Sequence, residues 1–184
     1  LYTHEHRDHT SGLDDIRAYN HKYNMDMPIY AEGRVLEQLK VVFHYIFSNN
    51  NYPGIPRVLA HEIHNEPFKI GDTKIIPLRV LHFKLPVFGF RINNFTYITD
   101  AKTIADEEVE KIKGTEILVV NALQHEPHIS HFTFEEAIDF ANRIGARHTY
   151  FTHINHRLGL HKEVSQLLPA HISLAHDGLE VILV

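Results

Sequence analysis

The sequence predicts a mixed α/β fold in which helices flank a sheet, and two features of its apolar pattern support this. Residues 58–99 form short apolar or alternating runs that are separated by Gly71-Asp72 and Asn93-Asn94, as is typical of strands joined by tight turns. From residue 117 onwards, apolar strands alternate with amphipathic helices. Strands and helices of this kind pack in layers around a core, so we predict a single domain over residues 1–184.

The first third of the chain is predicted to be mainly helical. Apolar residues recur at helical spacing over residues 11–24 and 34–47, and a short strand is predicted at 28–31 between them. Asparagine, proline and glycine make residues 49–56 a loop. This loop is a candidate for a substrate-facing insertion, although a plain surface connection explains it equally well.

The remaining elements follow from the same periodicities. Strands are predicted at 58–63, 68–70, 74–80, 87–92, 95–99, 117–122 and 148–152, with a hairpin at Asn93-Asn94. Helices are predicted at 103–113 before Gly114, at 133–144 before Gly145, and at 160–167. A strand pair around Asp177-Gly178 is predicted to occupy residues 172–184.

The composition is ordinary for a soluble globular domain, with 43% hydrophobic and 22% charged residues in a chain of 184. A formal net charge of −5 argues against a broad nucleic-acid surface, which needs a basic stripe. No apolar run approaches the roughly 18–20 residues of a membrane span, so we expect no membrane partner. The absence of cysteine excludes disulfides and thiolate ligands and fits the cytoplasmic setting that we expect.

The first nine residues carry the strongest chemical signal. His4, His6, Asp8 and His9 form the pattern His-x-His-x-Asp-His, and imidazole and carboxylate groups are the ligands that zinc and similar divalent metals select. Alternate residues of an extended chain face the same way, so His4, His6 and Asp8 can converge. A catalytic zinc usually keeps three protein ligands and one open position, so four ligands in six positions indicate two metals.

This motif resembles that of the metallo-β-lactamase fold hydrolases, in the branch with Asp-His after the first two histidines. The resemblance implies an αββα four-layer sandwich. In that family several strands precede the motif, so we expect the chain to correspond to the later part of a longer protein.

Three further ligand-type residues come directly after predicted strands. They are His82, Asp100 and His153, and their order matches that of the family's remaining motifs. Considered alone, His82 could be an ordinary surface histidine and Asp100 the N-cap of a helix at residue 103. The resemblance assigns His4, His6 and His82 to one metal, Asp8, His9 and His153 to the other, and Asp100 to a bridge between them. It implies two zinc or manganese ions as cofactors, and the nitrogen and oxygen ligands fit iron as well.

The stretch 123–133 and the C-terminal third narrow the resemblance. Ser130-His131, the run from Tyr150 to His156 and the run from Ala175 to Glu180 resemble the phosphoribosyl 1,2-cyclic phosphate phosphodiesterase group. The separation of 22 positions from His131 to His153 matches the spacing in that group between an active-site histidine and the last ligand. The region 42–65 is the least comparable part.

By that resemblance His131 is the general acid that protonates the leaving alkoxide, and Asp8 is catalytic as well as a ligand. Imidazole suits the acid role because its unperturbed pKa of about 6.5 lies near the working pH. His131 could instead be an exposed neighbour of the helix cap at Thr133. His156 is assigned to substrate binding, while His125 and His128 are expected at the rim, where either could take the acid role.

The resemblance therefore implies a dinuclear metal hydrolase that cleaves a small, cyclic phosphodiester through a metal-bridged hydroxide. Enzymes closest to that type can carry a further zinc site built from cysteines. This chain has no cysteine, so the resemblance extends to the reaction class and not to identity with such an enzyme. A lactonase or thioesterase on the same metals is the alternative, followed by a tRNA-processing nuclease and an inactive metal-binding domain. The expected partner is a small-molecule phosphodiester, nucleic acid is not favoured, and a homodimer is left open.

Overall fold

The computed structural model describes residues 1–48 and 52–183. The chain forms two units, Leu1–His64 and Asn65–Val184. Each unit has its own paired strands and its own buried apolar cluster within the described residues. The prediction of a single domain stays a prediction.

The N-terminal unit contains helices around one pair of parallel strands. Its elements are α1 (Arg7–Thr10), a 3-10 helix (Ser11–Ile16), α2 (Arg17–Tyr23), β1 (Met27–Ala31), α3 (Gly33–Val42), α4 (His44–Phe47) and β2 (Val58–Glu62). Strands β1 and β2 pair with Met27 opposite Val58. The apolar cluster joins Leu13 and Ile29 to the inner face of α3, where Val35, Leu36 and Leu39 are buried.

The two long helices predicted in this unit are each interrupted. The first begins as a 3-10 helix, becomes an α-helix at Arg17 and ends at Asn24, which has a left-handed φ of 46°. The second stops at Phe43, whose φ of −110° and ψ of 41° are not helical. Phe43 is buried in the apolar cluster, and a new helical turn starts after it. Residues 49–51 of the predicted loop lie outside the described residues, and residues 52–56 contain neither helix nor strand.

The C-terminal unit is built on one sheet. Its strands are β3 (Phe68–Ile70), β4 (Thr73–His82), β5 (Leu85–Ile92), β6 (Phe95–Ile98), β7 (Thr103–Ile104), β8 (Ile117–Asn121), β9 (His148–Thr152) and β10 (Ile172–Leu174). Within the described residues the order is β10-β9-β8-β6-β5-β4-β3, with β7 paired to β4. Its helices are α5 (Asp106–Glu110), α6 (Phe134–Ile144) and α7 (His161–Val164), together with 3-10 helices at His156–Leu158 and Ser165–Leu167.

The strand directions place several chain ends at one edge of this sheet. Strands β6, β8, β9 and β10 are mutually parallel. Strand β5 is antiparallel to both β4 and β6, so β4 runs in the same direction as β6. The residues that follow β6 and β9, and the last residue of β4, therefore meet at the same edge of the sheet.

Helix α6 begins and ends where the sequence predicts. The Thr133 side chain accepts a hydrogen bond from the Glu136 backbone, and the Glu136 side chain accepts one from the Thr133 backbone, which is a capping box. Gly145 ends the helix with a φ of 67°, a conformation that favours glycine. The buried face of α6 joins an apolar cluster with Leu118, Val120 and Phe151 of the sheet.

Three predictions in this unit are corrected. The helix predicted from residue 103 is wrong at its start, because Thr103–Ile104 pairs with β4 and only Asp106–Glu110 is α-helical. The helix at 160–167 divides into a short α-helix and a 3-10 turn. The predicted strand pair at 172–184 is wrong, because only Ile172–Leu174 is a strand, paired in parallel with β9, and residues 175–183 contain no strand.

Among the described residues, no helix combines the length and the apolar character that crossing a membrane requires.

Candidate metal centre

The N-terminal histidine motif forms a cluster within its own unit. His4 is fully buried, and its Nε2 atom lies 3.0 Å from the Nδ1 atom of His6. The rings of His4 and His9 are 4.3 Å apart between centroids, and the Nε2 atom of His9 lies 3.2 Å from the Oδ2 atom of Asp8. Both Asp8 and His9 lie in α1.

The spacing of this cluster fits ligands of a metal ion. Two nitrogen ligands at about 2.0–2.1 Å from a tetrahedral zinc are roughly 3.3 Å apart, close to the separation of the facing His4 and His6 nitrogens. The Thr3 hydroxyl lies 3.0 Å from the Nδ1 atom of His4. This contact occupies one ring nitrogen of His4 and orients the other, as hydrogen-bond partners of metal-binding histidines do.

In the C-terminal unit, Asp100 lies at the centre of a second cluster. Its side chain is only 2% exposed. Its Oδ1 atom accepts a hydrogen bond of 2.7 Å from the Thr99 hydroxyl. Its Oδ2 atom lies 3.1 Å from the Nε2 atom of His131 and 3.4 Å from the Nε2 atom of His153. The interpretation of Asp100 as a helix N-cap is wrong, because Ala105 holds that position in α5.

His82 ends β4 beside this carboxylate. Its Nδ1 atom lies 3.0 Å from the backbone oxygen of Ser130. A carbonyl oxygen only accepts, so Nδ1 carries the hydrogen and Nε2 keeps its lone pair for a cation. One ligand atom from each of His82, Asp100 and His131 lies within 4.8 Å of the others. This set has the donor chemistry of a divalent metal site without any thiolate.

His153 follows β9 in a left-handed conformation with a φ of 55°. Such a φ is uncommon outside glycine, although histidine tolerates it better than most residues. The His153 ring stacks on His131, with 4.8 Å between centroids and 18° between planes. The turn therefore directs the imidazole back to the strand ends where Asp100 lies.

His131 is 7% exposed, so its interpretation as an exposed neighbour of the helix cap is wrong. Because a carboxylate only accepts, the Nε2 atom of His131 donates to Asp100. On the other side of the ring, Nδ1 lies 3.1 Å from the Ser130 hydroxyl and 3.3 Å from the Nδ1 atom of His128. Burial lowers the pKa of His128, as do the nearby His131 and Lys102. Contacts at both ring nitrogens therefore fix the orientation of the His131 imidazole.

The two remaining histidines of interest lie at the surface. His125 is exposed, and its Nδ1 atom lies 2.9 Å from the Oε1 atom of Glu135. His156 is exposed at the start of a 3-10 helix that Asn155 caps. The role of His156 in substrate binding stays a prediction.

Hydroxyl side chains to which the sequence analysis assigned no role support both clusters. Thr3, Thr99 and Ser130 each precede a site residue and contact it through the hydroxyl. A hydroxyl residue directly before a ligand-type residue was therefore a signal present in the sequence. The assignment of seven ligands to two metals stays a prediction made from the resemblance.

Comparison with known proteins establishes the family. A family model described as a β-lactamase superfamily domain matches residues 1–154. The chain belongs to the metallo-β-lactamase superfamily. Its mixed α/β architecture is the fold of that superfamily, whose members bind divalent metals in a hydrolase scaffold.

Three similar proteins show how far the match extends. A solved structure of a new diphosphatase from the PhnP family is 38% identical and has a TM-score of 0.89, covering 99% of this chain and 70% of that one. Zn²⁺-bound PqqB from Methylobacterium extorquens is 15% identical, with a TM-score of 0.74 over 98% of this chain and 71% of that one, and shows the fold alone. An octanoyltransferase from Porphyromonas gingivalis is 40% identical over 185 residues, which is 100% of this chain. The chain spans 37% of the length of that relative, so its name describes a protein that lies mostly outside the match.

Proposed function

We propose that this chain is a dinuclear metal-dependent phosphodiesterase that hydrolyses small phosphodiesters, cyclic ones above all. The observation that carries the proposal is the 38% identity, over 99% of the chain, with a diphosphatase of the PhnP family. The cluster of Asp100 with His82, His131 and His153 supports it, because these side chains supply both metal-ligand and proton-donor chemistry in one place.

We further propose that the seven ligands assigned from the sequence hold two zinc or manganese ions. These are His4, His6, Asp8, His9, His82, Asp100 and His153. Such ions, when bound, lower the pKa of a water molecule and polarise the phosphoryl oxygen. Asp100 is the ligand assigned to both ions, and the Thr99 hydroxyl, which donates to Oδ1, would hold this carboxylate with Oδ2 facing the histidines.

His131 is the proposed proton donor. In hydrolysis of a cyclic phosphodiester, water adds to phosphorus, one P–O bond breaks, and the departing alkoxide must gain a proton. The Nε2 hydrogen of His131 is directed towards Asp100, and therefore towards the proposed ligand cluster. The Ser130 hydroxyl and His128 hold the opposite ring nitrogen, so the ring keeps this orientation.

A diphosphate ester is the second candidate substrate, because the similar solved protein is a diphosphatase. The two reactions share water attack at phosphorus and cleavage of a P–O bond, and they differ in the leaving group. A leaving phosphate needs less protonation than an alkoxide, so the contribution of His131 to the rate distinguishes them.

The test is a parallel assay of the purified chain, loaded with zinc or with manganese, on four substrate classes. These are a cyclic phosphodiester with bis(p-nitrophenyl) phosphate as its linear analogue, a diphosphate ester, a lactone and a thioester. The Asp100→Asn variant, purified identically, measures contaminating activity. Hydrolysis of the phosphodiesters that the variant lacks supports the proposal, and hydrolysis of the diphosphate ester alone supports the second candidate. Hydrolysis of only the lactone or thioester would assign the alternative function.

A further inference from the structure

We infer that Phe83 is an aromatic platform that selects phosphate substrates carrying a planar heteroaromatic group of the nucleobase type. This inference rests on the proposed function and names its substrate class. It comes from three exposed apolar residues that adjoin cluster residues along the chain, and from an unfavourable backbone conformation at one of them.

Phe83 follows His82 in the two-residue turn between β4 and β5, where His82 pairs with Leu85. Its φ is 57°, a conformation that a two-residue hairpin normally gives to glycine or asparagine. Its side chain is 52% exposed, so burial does not compensate for this conformation. A bulky aromatic residue in a turn that favours glycine is a reason to look for function.

Two other residues that adjoin the cluster along the chain are also apolar and exposed. Ile129 precedes Ser130, whose carbonyl accepts the hydrogen bond from His82, and Ile129 is 70% exposed. Ile154 follows His153, which stacks on His131, and is 36% exposed. Adjacent α-carbons are about 3.8 Å apart, so all three apolar residues adjoin the residues that meet in the cluster. Exposed apolar residues that adjoin the residues of a polar site are candidates for contact with a bound ligand.

The surroundings of Phe83 favour a planar, phosphate-bearing ligand. The Nζ atom of Lys84 lies 5.4 Å from the centre of the Phe83 ring, so a cation adjoins the aromatic face. A cation beside an exposed ring suits a ligand that combines an anionic phosphate with a flat ring. Stacking of a base on an aromatic side chain tolerates any base, because every base has a π face. A bare sugar phosphate offers no such surface.

The experiment compares two cyclic phosphates that differ only in the base. One is adenosine 2′,3′-cyclic phosphate, and the other is the 2′,3′-cyclic phosphate of methyl riboside. We expect Phe83→Gly to lower kcat/KM about ten-fold for the adenosine substrate, in line with measured base stacking, and to leave the methyl riboside substrate within about two-fold. Phe83→Tyr should retain the preference. Leu167→Ala, which removes another exposed apolar side chain of this unit, is the matched control.

Two further measurements separate an effect on stacking from effects on folding and on turnover. Glycine suits a φ of 57°, so Phe83→Gly should unfold at a temperature equal to or above that of the wild type, and any loss of preference is then not a loss of structure. Calorimetry with AMP and with ribose 5-phosphate measures the platform without turnover. We expect AMP to bind more tightly, and only while the ring is present.

Equal binding of AMP and ribose 5-phosphate by the wild type would overturn the inference, whether or not the protein hydrolyses anything. An unchanged preference in Phe83→Gly would overturn it as well. Selective, Phe83-dependent AMP binding without hydrolysis of any phosphate ester would support the platform while removing the proposed function.

Discussion

The Nε2 atom of His131 lies 3.1 Å from the Oδ2 atom of Asp100, and both side chains are buried. A carboxylate with so little access to water is stabilised by hydrogen-bond donors or cations around it. Thr99 and His131 supply two donors, and His82 and His153 supply nitrogen atoms with the chemistry of metal ligands. The contact therefore joins the proposed acid to the proposed bridging ligand.

Replacing His131 separates the proposed role of an acid from that of a metal ligand. We expect His131→Ala to reduce kcat on the cyclic phosphodiester, whose leaving alkoxide needs a proton, by roughly 10²–10⁴-fold, the usual contribution of a general acid, while the metal content stays unchanged. Steady-state kinetics and elemental analysis on the same preparation measure both quantities. His171→Ala removes a histidine that contacts Asn142 and should change neither.

The alternatives to this assignment give different results. Loss of metal from His131→Ala would make His131 a ligand, which its position beside His82 and Asp100 would allow. Full activity in His131→Ala would remove the acid assignment. A larger loss in His125→Ala or His128→Ala would transfer the acid role to that residue.

The cluster residues of the C-terminal unit could be predicted from the sequence because strand ends are local features. His82, Asp100 and His153 each end or follow an apolar run, and parallel strands bring such ends to one edge. The contact of His82 with the Ser130 carbonyl could not be predicted in this way. It joins residues 48 positions apart through a loop without a repeating pattern.

Errors in the predicted elements arose where non-local pairing overrides periodicity. Residues 103–113 have a helical pattern, yet the backbone of Thr103–Ile104 pairs with Val80 and Leu81 of β4. Residues 175–183 contain strand-forming side chains, but only Ile172–Leu174 pairs with β9. The prediction of helix α6 was correct at both ends, because the Thr133 cap and Gly145 are local signals.

Removing the charge of Asp100 tests its role as a bridge. We expect Asp100→Asn to lower the number of tightly held metals per chain, because an amide keeps the shape of the side chain but loses its negative charge. Elemental analysis after dialysis against a weak chelator measures the stoichiometry. Asp106→Asn, at an exposed carboxylate that pairs with Arg143, is the control. Two tightly held metals in Asp100→Asn would argue against a bridge.

The lowered pKa of Glu136 predicts that the free energy of unfolding depends on pH. Burial alone would raise the pKa of Glu136, but hydrogen bonds from Lys102 and Thr133 outweigh it, so the pKa lies below its ordinary value of 4.5. A carboxyl group with a lowered folded-state pKa contributes stability above its ordinary pKa, and this contribution is lost as the pH falls through the folded-state value. The side chain is 45% exposed, so solvent screening keeps the effect small.

We therefore expect the wild type to lose more stability than Glu136→Gln between about pH 6 and about pH 3. Urea unfolding at several pH values measures this difference. Glu107→Gln, at an exposed carboxylate in the first turn of α5, should follow the wild type. Parallel pH profiles for the wild type and Glu136→Gln would show that the hydrogen bonds of Glu136 do not stabilise the folded state.

Two buried threonines, Thr96 in β6 and Thr99 directly after it, distinguish support of a metal ligand from support of the fold. The Thr99 hydroxyl donates to Asp100, whereas the Thr96 hydroxyl lies 2.6 Å from that of Thr115. Hydrogen-bond partners of metal ligands typically change metal affinity by about 10–100-fold when they are removed. We expect Thr99→Val to weaken metal binding by such a factor and Thr96→Val to leave it unchanged, although both variants lose a buried hydrogen bond and some stability.

Competition with a fluorescent chelator measures the affinity, and thermal unfolding of the metal-free variants measures the stability. Equal metal affinities in the two variants would mean that the Thr99 hydroxyl supports the fold and leaves the metal centre unaffected.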